Sequence, residues 1–193
     1  MTIIHLIRHG EVHNPQHILY GRMPRFRLSR RGSEQAAAAA AYLRDRPLAA
    51  VISSPRLRAR QTAAAIARPH NLPVRLSALA DEIRSPHQGR TAAELEAEGW
   101  RLYTNLPPGY ETPEDILART RRLIDRLRAA YPGQEVAVVT HGDVVLAVRF
   151  WVAGVPFTDE TKNRSPYPAP ASITTLDFAN GASLPALTYR CPY

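Results

Sequence analysis

Two short β-branched runs, Thr2–Arg8 and Glu135–Thr140, each lead directly into a histidine that is followed by a glycine. Runs this short and this apolar read as buried strands. A helical signal follows Glu135–Thr140 directly, through His141-Gly142 into Val144 to Ala153. In a parallel α/β sheet, ligands gather outside the carboxyl ends of the strands, where loops enter helices. His9 and His141 therefore sit at two such ends, and if the strands are parallel their rings face one pocket. Gly10 and Gly142 let a bulky group come close to the backbone there.

The remaining pattern alternates strands with helices. Ser29 caps a helix over Glu34 to Arg44 that contains six consecutive alanines, Ala36 to Ala41, the best helix former available. Ala50 to Ser53 is a second strand, and Ser54-Pro55 supplies a cap and a first-turn proline for a helix reaching Ala67. Val74 to Leu76 is a third strand. Pro86, Gly89, Gly99 and Pro107-Pro108-Gly109 interrupt the stretch that follows, within which Thr91 and Glu94 form a capping box. Thr112-Pro113-Glu114-Asp115 opens a long amphipathic helix ended by Pro132-Gly133; Arg119, Arg121, Arg122, Arg126 and Arg128 fall on its wet face. Ser172 to Phe178 and Leu184 to Tyr189 flank a turn at Asn180-Gly181 and read as a closing hairpin. This order predicts a three-layer α/β/α sandwich with a mostly parallel central sheet. At 193 residues the chain reads as a single domain, 1–193, with a helical cap insertion at 82–131 over the pocket. Within it, Trp100, Tyr103 and Tyr110 either pack or wall the substrate.

Composition excludes several classes. No uncharged apolar run approaches the roughly 18 residues of a membrane span, and the N-terminal stretch turns polar too early for a signal peptide. The single cysteine, Cys191, rules out an internal disulfide framework or a cysteine-based zinc site, and the expected setting is cytoplasmic. His5, His9, His13 and His17 recur every four residues, which on a helix would make a metal-binding stripe. Ile3, Ile4, Leu6 and Ile7 favour a strand instead, and Gly10 and Pro15 break any helix, so the periodicity is accidental; no cofactor is expected.

The net charge is +8, and Lys162 is the only lysine among 25 basic Lys and Arg residues. Guanidinium forks match phosphate oxygens, but drift toward arginine and alanine would give the same total, so only particular positions decide. Arg8 adjoins His9. Arg58 lies in the first turn of the helix after Ser53-Ser54-Pro55, where free N–H groups favour an anion. Two histidines and two arginines about a helix N-terminus form a site for a tetrahedral dianion.

These residues resemble the motifs of the histidine phosphatase superfamily, also called phosphoglycerate-mutase-like. Leu6 to Glu11, with Asn14 beyond it, looks like the family's Arg-His-Gly signature. Ser53 to Ala63 is similar to its second motif and Val139 to Gly142 to its third, while Ala171 to Thr174 resembles its closing strand. The resemblance implies a metal-independent, histidine-acid-type phosphatase acting on a small phosphorylated substrate. His9 would be the nucleophile that becomes phosphohistidine, with Arg8, Arg58 and His141 around the phosphoryl group and Asn14 and Gly142 as further donors. It also places a glutamate after the third strand as proton donor. Glu82 fits, with Asp81 as the fallback, since adjacent side chains on an extended segment point opposite ways. Beyond it the chain reads Arg84 to Gly89, where the family has an aromatic-glycine stretch.

Two alternatives stand beside this reading: a phosphoglycerate-type mutase, and a binder of phosphate or nucleic acid without turnover. The Gly21 to Arg31 segment carries five arginines. A solvated loop is the expectation for most of them, substrate contact for Arg22, and a nucleic-acid partner is not expected. Oligomeric state is not encoded in these motifs.

Overall fold

The computed structural model describes residues 1–179 and 182–193. Strand β1 (Thr2–Arg8) lies inside a six-stranded sheet. With β2 (Leu48–Ser53), β3 (Val74–Leu76), β4 (Glu135–Thr140), β5 (Ile173–Phe178) and β6 (Ala186–Arg190), the order across the sheet is β3-β2-β4-β1-β5-β6. β1 to β4 are mutually parallel, and β5 runs antiparallel to both β1 and β6. The expected pairing of the last two strands is present; the Asn180-Gly181 turn lies outside the described residues.

Side chains alternate across the central strands, so each must be apolar throughout. Ile4, Leu6, Val136 and Val138 face one layer, where α4 (Pro113–Ala130) contributes Leu123, Ile124 and Leu127 and α5 (Gly142–Ala153) contributes Val145 and Val148. Ile7, Val51, Ala137 and Val139 face the other, made of α1 (Arg30–Leu43) and α2 (Leu57–Ala67). There Ala39 and Ala40 pack with Ala59 and Ala63; the alanine run sets close helix packing as well as propensity.

Register fixes where the strands end. Arg8 pairs with Thr140 and Ser53 with Val139, so the carboxyl ends of β1, β2 and β4 are flush and His9, Ser54 and His141 emerge side by side. The loop after β1 crosses α1 closely: a Cβ on Gly10 would lie 2.4 Å from the Gly32 carbonyl oxygen, and one on Gly32 would lie 1.9 Å from that of Glu11. Both glycines are needed for that crossing. At Gly10 the close neighbour is backbone of the same chain.

Three features differ from the sequence reading. α2 begins at Leu57 with Arg56 as its cap residue and no side-chain cap, because the Ser54 hydroxyl turns toward Asp81 and His141. The second half of the 82–131 segment is α4, whose apolar face lies in the sandwich core. The pocket is covered instead by residues on both sides of that helix: Ile83, Ser85, Trp100 and Leu102, and then Lys162 and Asn163 of α6 (Asp159–Asn163). A short α3 (Ala92–Ala97) with the expected Thr91–Glu94 capping box braces the first of these segments.

Candidate functional site

Outside the flush strand ends lies a cavity of about 400 Å3, lined by Arg8, His9, Tyr20, Glu82, Gly142, Asp143 and Tyr167 among others. His9 Nδ1 lies 2.8 Å from the Gly10 carbonyl oxygen. A carbonyl only accepts, so Nδ1 carries the hydrogen and Nε2 presents its lone pair. Arg58 Nε–H donates to that Nε2 at 3.1 Å. Burial, then the charges of Arg58, His141 and Arg8, hold the His9 pKa well below its ordinary 6.5 and keep the ring neutral.

Arg58 is fully buried, and its Nη2 donates to the Gly21 carbonyl at 2.8 Å. The same nitrogen lies 3.1 Å from Glu82 Oε2 and 3.2 Å from His141 Nδ1. Its guanidinium stacks on Tyr20, 4.5 Å from the ring centroid. His141, also fully buried, places Nε2 2.7 Å from Ser54 Oγ. The Ser54 hydroxyl donates its one hydrogen to Asp81, so it accepts from His141 Nε2–H. That leaves His141 Nδ1 and Glu82 Oε2, 3.1 Å apart, as two lone-pair atoms that make a favourable contact only with a proton between them. Burial raises the Glu82 carboxyl, but His141 and Arg58 outweigh it, and Glu82 is held well below the usual carboxylate range. Burial lowers His141.

The two acids at the end of the third strand separate cleanly. Asp81 is gripped by Arg56, Nε to Oδ1 at 2.7 Å and Nη2 to Oδ2 at 2.6 Å, and faces away from the cavity. Glu82 faces into it. Its backbone is pinned: the Arg22 Nε–H donates to the Glu82 carbonyl at 2.7 Å, and the preceding Ala80 carbonyl accepts from the Thr140 hydroxyl at 2.8 Å.

Arg8, His9, Arg58, Glu82, His141 and Gly142 thus converge as the sequence motifs implied. Arg8 Nε is buried without a hydrogen-bond partner, while its guanidinium lies 4.9 Å from the Tyr167 ring centroid. A Cβ on Gly142 would meet the Tyr167 hydroxyl at 2.3 Å, so glycine here admits that phenol. Two expectations are corrected. Asn14 closes its own loop, donating to the Ile18 carbonyl at 2.9 Å and accepting from the Ile18 N–H, and does not line the cavity. Arg22 pairs with Glu111 at 2.8 Å and holds the Glu82 backbone; it is a positioning residue because acids from a distant loop claim its fork. Arg119, expected on the wet face of α4, also folds inward to Glu111 and the Leu79 carbonyl.

Tyr20, Asp143, Lys162 and Tyr167 are among the lining residues that were not foreseen. Asp143 follows the His141-Gly142 pair directly, which was signal enough to name it. Its oxygens accept from the Tyr103 hydroxyl at 2.6 Å and the Tyr167 hydroxyl at 2.8 Å, and burial raises its pKa. Tyr103 thus packs behind Asp143, while Trp100 lines the cavity itself.

Ligand atoms of His9, Glu82 and His141 lie within 4.8 Å of one another, which makes them the one candidate cation cluster among the described residues. Arg58 Nε–H donates to His9 and Arg58 Nη2 lies within 3.2 Å of Glu82 Oε2 and His141 Nδ1, so a guanidinium already fills the centre of that set. The donors and the two uncapped helix starts of α2 and α5 converge on the same volume and suit an anion.

The comparisons agree with this geometry. The sequence matches the histidine phosphatase superfamily (branch 1) over residues 4–187, and the chain belongs to that family. It is 37% identical to an uncharacterized protein of Mycobacterium tuberculosis, over 99% of this chain and 96% of that one. It is 31% identical to the glucosyl-3-phosphoglycerate phosphatase of M. tuberculosis, over 74% and 71% of the two chains. The native structure of mycobacterial glucosyl-3-phosphoglycerate phosphatase superposes with a TM-score of 0.79 at 25% identity, covering 98% of this chain and 97% of that one. Among the described residues no helix is long and apolar enough to cross a membrane.

The buried titrating groups make stability pH-dependent. His5, His9 and His141 are all lowered from 6.5, chiefly by burial, so the unfolded chain binds their protons first as pH falls. Glu82 and Asp81, lowered despite burial by their cationic partners, extend the loss below their ordinary 4.5 and 3.8. The melting temperature is expected to hold above pH 6.5 and to fall progressively below it. A melting curve unchanged between pH 7 and 5 contradicts the buried neutral histidines.

Proposed function

We propose that this protein hydrolyses phosphomonoesters of small metabolites through a phosphohistidine at His9. The observation that carries the reading is the single lone pair of His9 Nε2, set by the Nδ1–H bond to the Gly10 carbonyl and held in the free site by Arg58 Nε–H, which a phosphate drawing that guanidinium to its own oxygens would release. Nε2 attacks phosphorus and the ester P–O bond breaks. Arg58, Arg8, His141 and the Gly142 N–H spread the charge of the transferring group, where most of the rate enhancement lies.

In the free site the Glu82 carboxyl rests on Arg58 Nη2 and shares a proton with His141 Nδ1, the two groups a phosphate would use. A phosphate dianion displaces it. Once Arg58 and His141 pair with phosphate, burial dominates and the Glu82 pKa rises, so the carboxyl holds the shared proton when the leaving alkoxide needs it. In the second step Glu82 accepts a proton from water, the water oxygen attacks phosphorus and the P–N bond breaks, returning His9 and inorganic phosphate. Guanidinium groups provide the positive charge throughout, so the reaction is metal-independent. The 83–110 loops and α6 form the cap. The phosphatase named among the relatives, which acts on a phosphorylated metabolite, supports a small substrate.

The test is release of inorganic phosphate from an aryl phosphate and from a panel of metabolite phosphates, before and after dialysis against a chelator. Release that survives chelation is expected. No release from any of them refutes the reading, and isomerisation of phosphoglycerate in place of release selects the mutase.

A further inference from the structure

The cavity has a second cation that the phosphoryl chemistry does not use. Lys162 sits on α6, is 7% exposed, and lines the cavity together with Trp100 and Asn163. An ammonium carries three donors. Here Nζ reaches Asn163 Oδ1 only at 3.4 Å and lies 6.0 Å from the centroid of the Trp100 ring. Among the described residues no carboxylate stands within ion-pair distance of it. Asp143 lines the same cavity and its charge favours Lys162, but its two oxygens accept from Tyr103 and Tyr167. A cation buried without a paired anion is costly, and that cost is relieved when a ligand brings the anion.

The wall that carries it is built in advance. The Asp159 carboxylate accepts from the Leu102 and Tyr103 N–H groups at 2.8 and 3.0 Å and from the Thr104 hydroxyl at 2.9 Å. Asn163 Nδ2 donates to the Gly99 carbonyl at 2.7 Å. These bonds clamp α6 to the 99–104 turn, so Lys162 and Trp100 face the cavity as one rigid unit. Leu19, Ile83 and Leu102 supply apolar lining in the same cavity as His9.

We propose that Lys162 marks a second anion subsite, so that the preferred substrate is a phosphomonoester bearing a further anionic group, a carboxylate or a second phosphate. This rests on the phosphatase reading above and adds its substrate class. The phosphoryl group pairs with Arg8 and Arg58 at the strand ends, the carbon skeleton lies along the apolar lining, and the remote anion pairs with Lys162.

The experiment compares kcat/KM for 3-phosphoglycerate, propanediol bisphosphate and glycerol 3-phosphate, whose remote groups are a carboxylate, a phosphate and a hydroxyl. An aryl phosphate serves as the activity control. Wild type is expected to favour one of the anionic pair over glycerol 3-phosphate by about tenfold or more. Which of the two it favours identifies the anion. In Lys162→Met that ratio collapses to within about threefold, mainly through KM, whereas Lys162→Arg retains most of it. A wild-type enzyme without the preference, or a Lys162→Met enzyme that keeps it, overturns the subsite. Should the methionine variant fail to fold, the wild-type ratio still decides. Loss of all turnover in wild type, aryl phosphate included, instead refutes the phosphatase reading.

Discussion

His9→Ala protein is expected to release phosphate at least about 10⁴-fold more slowly than wild type, because the nucleophile and its fixed tautomer go together. Wild type quenched during turnover of a phosphorus-labelled ester should carry label in a bond that is stable to alkali and cleaved by acid, as a P–N linkage is; the variant should carry none. The choice between the two histidines rests on exposure and proton inventory. His9 lines the cavity, and the one lone pair of its Nε2 is held in the free site only by Arg58 Nε–H, which an incoming phosphate would draw away. His141 is sealed, with Nε2–H held by Ser54 and Nδ1 facing Glu82 and Arg58. A labelled His141→Ala protein is therefore compatible with this assignment, and label on His9→Ala is not. Removing His9 also leaves Arg58 Nε without an acceptor inside a dry site, so a melting curve should accompany the assay.

Much of this was readable before the fold was known, for a physical reason. A strand buried on both faces is apolar over most of its length, so Ile3 to Ile7, broken only by His5, and Val136 to Val139 declare themselves, and the His-Gly pairs just beyond them then locate the site. The choice between Asp81 and Glu82 was narrowed by local geometry, since adjacent side chains diverge, and was decided by Arg56, whose reach to Asp81 is a tertiary fact. Arg22 and Asn14 show the limit. Their chemical types suit a phosphate, yet Arg22 is claimed by Glu111, 89 residues away, and Asn14 by the turn of its own loop. No local pattern encodes those competitions. α6 escaped because five polar residues show no periodicity, and with it went the wall that holds Lys162. The sole lysine stood out by count, but only the clamp to Leu102, Tyr103 and Gly99 gives it a place.

The Glu82→Gln variant separates two roles that a simple loss of activity would merge. Glutamine cannot donate a proton to an alkoxide or take one from water. kcat/KM for an alkyl phosphate should therefore fall by about 10²- to 10⁴-fold. An aryl phosphate with an acidic leaving group does not need the first proton, so its phosphorylation step should suffer far less and the burst of phenolate should survive. The same substitution removes the negative charge that rests on Arg58 Nη2 and faces His141 Nδ1 in the free site. Inorganic phosphate competes with that carboxylate for its donors, so the variant should bind phosphate several-fold more tightly while turning over more slowly. A purely structural role for Glu82 predicts weaker phosphate binding and equal losses on both ester types. Tighter product binding joined to a leaving-group-dependent loss would mean that this carboxylate both occupies the anion site at rest and protonates the ester oxygen once displaced. Equal losses on alkyl and aryl esters would remove Glu82 from the proton transfer and leave Asp81, bound to Arg56, as the acid to examine.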